Sequence, residues 1–264
     1  MPVSRLLFAL LLLLSISLVT AVAFTVFYSD GSVQAVVFAD RTLQKPLEEI
    51  LSSFSQERGV EVSYVYGSSG FVLAQLELRG SGDLYVSDGW EFAVKGLEEG
   101  LLDEDYFEVV GCIRLALIVA EGNPLGVSSL RDALLRDDVV VALGNPEHVT
   151  AGVLAWELLE ELGLEETVLK KVGDGGVVLV DSASQAAYYV VMGLADAAVT
   201  FNVYTNLMGE GVDEVYDPAV ASVKAPVVVA LPVNRGPLAE DLFNFVLGHS
   251  YVFADYGVEV GGSC

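Results

Sequence analysis

Two hydroxyl side chains stand in equivalent places on successive strand-to-helix turns. Thr42 lies in Phe38-Ala39-Asp40-Arg41-Thr42-Leu43 and Ser69 in Tyr66-Gly67-Ser68-Ser69-Gly70. Each stretch reads as a strand running into a turn that opens an amphipathic helix. A helix start carries unpaired backbone N–H groups and the positive end of the peptide dipoles, so it is a ready seat for an anion. Two such starts on neighbouring parallel strands point at one spot, with Thr42 facing Ser69. That chemistry is capture of an anion, not a reaction. A nucleophilic enzyme needs a base and an orienting acid beside its nucleophile. Ser69 has no histidine near it in sequence, only His148 and His249 exist, and G-x-S-x-G and H-E-x-x-H are missing. The chain is therefore read as a binding protein, with a hydrolase as the remote alternative and no cofactor expected.

The elements that must position these turns alternate. Strands are expected at Ala35–Phe38, Val60–Tyr66, Asp83–Val86 and the apolar run Ile113–Val119, with helices over Leu43–Phe54, Phe71–Leu78 and Trp90–Glu99. A second set follows: strands at Val139–Leu143, Val177–Val180, Ala197–Phe201 and Ala225–Leu231, and helices over Ser129–Leu135, Thr150–Leu162, Ser182–Met192, Leu238–Leu247 and Tyr251–Tyr256. Alternating units of this length predict an α/β fold: two lobes, each a mainly parallel sheet flanked by helices, hinged around a ligand cleft. Ligands in such folds sit at strand C-terminal ends and helix N-termini. The second set adds two capped helix starts facing that cleft, one through Asn145 to Gly152 and one through Asp181 to Gln185.

Composition agrees. At 264 residues the chain exceeds one typical domain, and 53% hydrophobic residues suffice for a real core. A formal net charge of −24 excludes nucleic acid as a partner and implies that any anion is held by neutral dipoles. Arg5 followed by the apolar run Leu6 to Phe24, with Ala21-Val22-Ala23 as a small-x-small site, reads residues 1–24 as a signal peptide or a retained membrane anchor. Either way the remainder works outside the cytoplasm, secreted or anchored. Cys112 and Cys264 form a disulfide or stay as two free thiols. No Cys/His spacing suits a metal. Asp83 and Asp88 read as solvated surface acids, and Tyr188-Tyr189 as helix residues pointing about 100° apart.

With these residues in view, the chain resembles the extracellular molybdate- and tungstate-binding proteins of ABC transporters, type II solute-binding proteins. The resemblance runs from Val33 to Val258. Its most specific portions are Gly67-Ser68-Ser69-Gly70, Gly144-Asn145-Pro146-Glu147-His148-Val149 with Ala151-Gly152, and Gly193-Leu194-Ala195-Asp196-Ala197. It implies a monomer that carries molybdate or tungstate to a membrane permease. Residues 31–112 and 228–264 would form one lobe and 113–227 the other. It also implies a dehydrated tetrahedral oxyanion held by hydroxyls and backbone N–H groups: Thr42 in place of a family serine, Ser69 as the second, and Ala151 and Ala183 as backbone donors. Phe201 stands where many relatives place a tyrosine hydroxyl; Tyr204, Thr200 or Thr150 would have to replace that donor. Val149 stands where some archaeal relatives carry a carboxylate, which favours the neutral tetrahedral site. Arg41, where relatives carry a small residue, is read as pairing with Asp40 on the rim, the other reading being a charge for the anion. These departures leave sulfate or another oxyanion as an alternative ligand, and the adjacent Tyr188-Tyr189, which resembles the iron-ligating pair of ferric-ion-binding proteins, leaves ferric iron as another.

Overall fold

The computed structural model describes residues 34–261 and Cys264; the leader read over residues 1–24 lies outside them. Strand β1 (Gln34–Asp40) is buried along its whole length after Gln34, as expected of an apolar strand covered on both faces. It pairs in parallel with β2 (Glu61–Gly67) on one side and β3 (Leu84–Ser87) on the other. The connections are α1 (Gln44–Arg58), which buries Leu47, Ile50, Leu51 and Phe54 on one stripe, and α2 (Ser69–Arg79), which buries Val72, Leu73 and Leu76. Helix α3 (Trp90–Glu98) follows β3. All three strands therefore end at the same edge, where Asp40, Ser69 and Ser87 meet.

A long strand, β4 (Leu102–Ala120), joins the two halves. Residues 102–114 pair antiparallel with β9 (Lys224–Pro232), which lies against β3; residues 115–120 pair antiparallel with β7 (Ala197–Phe201) and β8 (Val212–Val215). Beyond β7 come β5 (Val141–Gly144) and β6 (Val177–Val180), both parallel, giving the order β2-β1-β3-β9-β4-β7-β5-β6. Helices α4 (Leu130–Leu135), α5 (Thr150–Glu161), α6 (Glu165–Asp174), α7 (Ala183–Val191) and α8 (Val203–Met208) flank the second half, with the single turn α9 (Pro218–Ala221) leading into β9. Helix α10 (Ala239–Gly248) covers the first half and buries Leu242, Phe243, Phe245 and Val246. The architecture is the expected α/β arrangement of helices flanking an open sheet, but the sheet is mixed: β1 is parallel to β2 and β3, and β5 to β6 and β7, while β4 runs antiparallel to β7, β8 and β9, and β9 antiparallel to β3.

The chain departs from expectation in three places. The strand expected at Ile113–Val119 begins at Leu102, because Asp103 to Glu108 are exposed or half-buried and include four acidic residues, which hides the pattern. Helices α6 and α8 and strand β8 lie outside the expected elements; α6 buries Val168 and Lys171. The last expected helix is a 3-10 segment, Ser250–Tyr256. Cys112 and Cys264 are joined by a disulfide, which fixes the C-terminus beside β10 (Glu259–Val260), itself paired to Gly111 and Cys112 of β4. In an oxidising compartment such a bridge restricts the unfolded chain across a loop of 152 residues.

Candidate functional site

Asp40 ends β1 and caps the 3-10 turn Arg41–Leu43, its Oδ1 accepting the Thr42 N–H at 2.8 Å. This short polar side chain holds the backbone in the turn that presents Thr42. Ser68 stands before α2 and Ser69 is its first residue, fully buried. Asp88 follows β3 and is 1% exposed. The adjacent Gly89 has no room for a side chain: a Cβ there would meet Thr150 Cγ2 at 2.3 Å. The second half is pressed against the first with equal closeness. The N–H of Gly70 donates to the His148 carbonyl at 3.3 Å, and the Tyr204 hydroxyl donates to Thr42 Oγ1 at 3.2 Å.

Within this interface the side chains form one connected cluster. Thr42 Oγ1 donates to Asp88 Oδ2 at 2.8 Å. Ser69 Oγ lies 2.8 Å from Asp88 Oδ1 and 2.9 Å from Asp40 Oδ2. Ser87 Oγ donates to Ser69 Oγ or to the Gly89 carbonyl, each at 3.2 Å. Burial pushes the Asp40 carboxyl well above the usual carboxylate range, and the charge of Asp88 adds to the effect; the hydrogen bonds from Thr42 and Ser69 oppose it. Asp88 is raised by burial too, against the hydrogen bonds of Ser69 and Thr42. Burial also keeps the Tyr204 and Tyr85 phenols neutral. Thr150, at the start of α5, sits beside Asp88, and its hydroxyl opposes the rise as well.

Thr42 and Ser69 are brought to one carboxylate, Asp88, and the Tyr204 hydroxyl reaches Thr42. Ala151 is buried in the first turn of α5, which has no side-chain cap. That turn lies close on β5: a Cβ on Gly152 would meet the Gly144 carbonyl oxygen at 2.3 Å, so only glycine lets the helix start approach so far. Ala183 opens α7, where Ser182 caps Gln185 N and the Ala183 carbonyl accepts from Thr200 Oγ1 at 2.8 Å. Phe201 is fully buried in the hydrophobic core on β7 and brings no polar atom.

Several readings are corrected. Asp40 is not a rim residue paired with Arg41: it is buried, and the exposed Arg41 guanidinium donates instead to the Tyr66 carbonyl at 3.5 Å. Asp83 and Asp88 are not solvated. Asp83 is 7% exposed and ties β1 to a distant loop by accepting from Val36 N and Gly236 N, each at 2.8 Å. Tyr188 and Tyr189 point apart, the first half exposed and the second packed on the core. Asp88 and Tyr204 are the functional candidates that sequence reasoning missed or left open. The signal for Asp88 was its place just past the C-terminal end of a strand parallel to β1, the edge where ligands gather.

Outside the cluster a cleft of about 400 Å³ opens between the halves, lined by Arg41, Tyr66, Ser68, Phe71, His148 and Ser182 among others. His148 and Asp181 span its rim at 3.4 Å.

Comparison with known proteins fits this geometry. The family described as bacterial extracellular solute-binding protein matches residues 35–257. The molybdate-binding protein ModA of Rhodobacter capsulatus is 29% identical over 183 residues, 68% of this chain and 67% of that protein. The periplasmic molybdate-binding protein of Azotobacter vinelandii superposes with a TM-score of 0.72 at 17% identity, covering 87% of this chain and 100% of that one. The sulfate-binding protein SubI of Mycobacterium tuberculosis superposes with a TM-score of 0.73 at 18% identity, covering 87% of each. A match to the family over most of the length, on a fold that brings two pairs of helix starts together, means that the chain belongs to the bacterial extracellular solute-binding proteins.

Proposed function

We propose that this protein captures a tetrahedral oxyanion, molybdate or tungstate, and delivers it to the permease of an ABC transporter without chemical change. The observation that carries the reading is the cluster around Asp88. Three hydroxyls from both halves converge on one buried place, and the oxygens of a carboxylate already accept from two of them. Donors arranged to receive carboxylate oxygens suit an oxyanion, because a hydrogen bond to a charged group contributes about 1.5–3 kcal/mol. The names of the molybdate-binding relatives support the choice of ligand. Sulfate is the second reading, favoured by the likeness to a sulfate-binding protein.

The ligand-binding set is then Thr42, Ser69 and Tyr204, with backbone N–H groups at Ala151 and Ala183. Arg41 stands at the mouth, and Tyr204 supplies the hydroxyl that Phe201 lacks. Residues 31–112 with 228–264, and residues 113–227, act as two lobes that close over the ligand. The protein works as a monomer, secreted or held at the membrane through residues 1–24. The test is affinity for molybdate in variants. Thr42→Ala and Ser69→Ala each remove one donor and should weaken binding by about tenfold or more, the equivalent of about 1.4 kcal/mol or above. Tyr188→Phe, on the solvent face of α7, should leave affinity unchanged. Wild-type affinity in both hydroxyl variants would sink the assignment.

A further inference from the structure

The buried cluster is one hydrogen short. Tyr204 gives its hydroxyl hydrogen to Thr42 Oγ1, and Thr42 gives its own to Asp88 Oδ2. Ser69 has a single hydroxyl hydrogen, yet its Oγ lies within 2.9 Å of Asp40 Oδ2 and 2.8 Å of Asp88 Oδ1. One hydrogen cannot fill both contacts, and two ionised carboxylates offer none. Both contacts are made if one carboxyl carries a proton and donates it to Ser69 Oγ. Charge gives the same answer, since no ion pair among the described residues involves Asp40 or Asp88. Two buried, unpaired like charges held on one hydroxyl are strongly disfavoured.

The surrounding elements supply little to offset that charge. Tyr85 on β3 and Tyr204 on α8 are neutral phenols. Glu91 on α3 is another carboxyl raised by burial and by Asp88, with an Oε2 that is buried and unpartnered, and Glu157 on α5 faces it. Arg41 is turned to the Tyr66 carbonyl, and the His148 ring is turned to Asp181.

We propose that Asp40 and Asp88 share one proton in the free protein, and that an oxyanion dianion binds together with one further proton taken from solvent. Asp88 then meets the ligand as a neutral acid that donates its O–H, while Thr42 and Ser69 turn their hydroxyls from Asp88 to the ligand. Asp88 thus competes with the ligand for its donors when ionised, and joins the donor set when protonated. This rests on the oxyanion reading given above.

The experiment has two arms on the full chain. Infrared spectra of the unliganded protein at about neutral pH should contain a protonated-carboxyl band that Asp88→Asn and Asp40→Asn each shift or remove; no such band in the wild type, or a band that neither variant alters, overturns the shared proton, whatever the ligand. Titration calorimetry with molybdate, in buffers of different ionisation enthalpy, should show about one proton taken up per oxyanion. Affinity should fall by up to about tenfold per pH unit above neutrality. Asp88→Asn, which keeps an acceptor and adds a donor, should bind at least about tenfold tighter on the alkaline side and lose most of the pH dependence. Tight molybdate binding with no proton uptake and no pH dependence overturns this inference and leaves the proposed function standing. If no oxyanion binds wild type or variant, the proposed function falls and the proton-coupled capture falls with it.

Discussion

Asp88 stands at the centre of the buried cluster, and its burial has a consequence for stability as well as for the proposed binding. Its pKa and that of Asp40 are raised in the folded protein. The neutral forms are therefore favoured by folding, and stability from this pair is greatest below the unfolded value of about 3.9 and declines as pH rises toward the folded value. Asp88→Asn removes one member of the pair. Its melting temperature relative to wild type should rise between about pH 4 and pH 8, measured by calorimetry without ligand. A difference that is flat with pH, or that shrinks toward alkaline pH, would contradict the buried-pair account. The hydroxyls of Thr42 and Ser69 were legible because hydroxyl-bearing turns before helices are local signals. The carboxylates were not: a lone Asp before Gly89 reads as a turn, and only β1–β3 pairing brings it against Thr42.

At the scale of elements, periodicity located those segments that bury a clear stripe. The limits of β7 and the start of α5 were legible from apolar runs bounded by turn residues. Helix α6 was not expected: its apolar stripe is short, with Val168 and Val172 on the core, and a charge completes its anchoring. Lys171 buries its stem, and its Nζ donates to the carbonyls of Ala133, Arg136 and Val139 at 3.3, 2.5 and 3.0 Å. These carbonyls end α4 and lead into β5, so one lysine joins three elements. Burial lowers its pKa, but the three acceptors keep it bound. Lys171→Met retains the stem and strips three acceptors of their donor, which should cost about 2–3 kcal/mol by chemical denaturation. Molybdate affinity should not change, since Lys171 makes no contact with the Asp88 cluster. A stability change below about 0.5 kcal/mol would show that water replaces the ammonium without loss.

For the whole molecule, the alternation of strands and helices was enough to foresee two groups of parallel strands with a cleft between them. It was not enough to foresee how the cleft is bridged. Strand β4 runs continuously through both halves, and Arg114, where its partners change, pairs with Glu214 of β8 at 2.6 Å. The bridging contacts, Tyr204 to Thr42 and Gly70 to His148, depend on tertiary approach and leave no trace in local sequence. The net charge of −24 also bears on the whole: it repels anions at long range, so selectivity has to come from the donor set in the cleft. The most direct measurement is therefore calorimetric titration of the purified protein with molybdate, tungstate, sulfate and phosphate under one buffer. Saturable one-to-one binding of molybdate and tungstate, with sulfate and phosphate much weaker, is the predicted result. Heats indistinguishable from dilution for all four would contradict oxyanion capture.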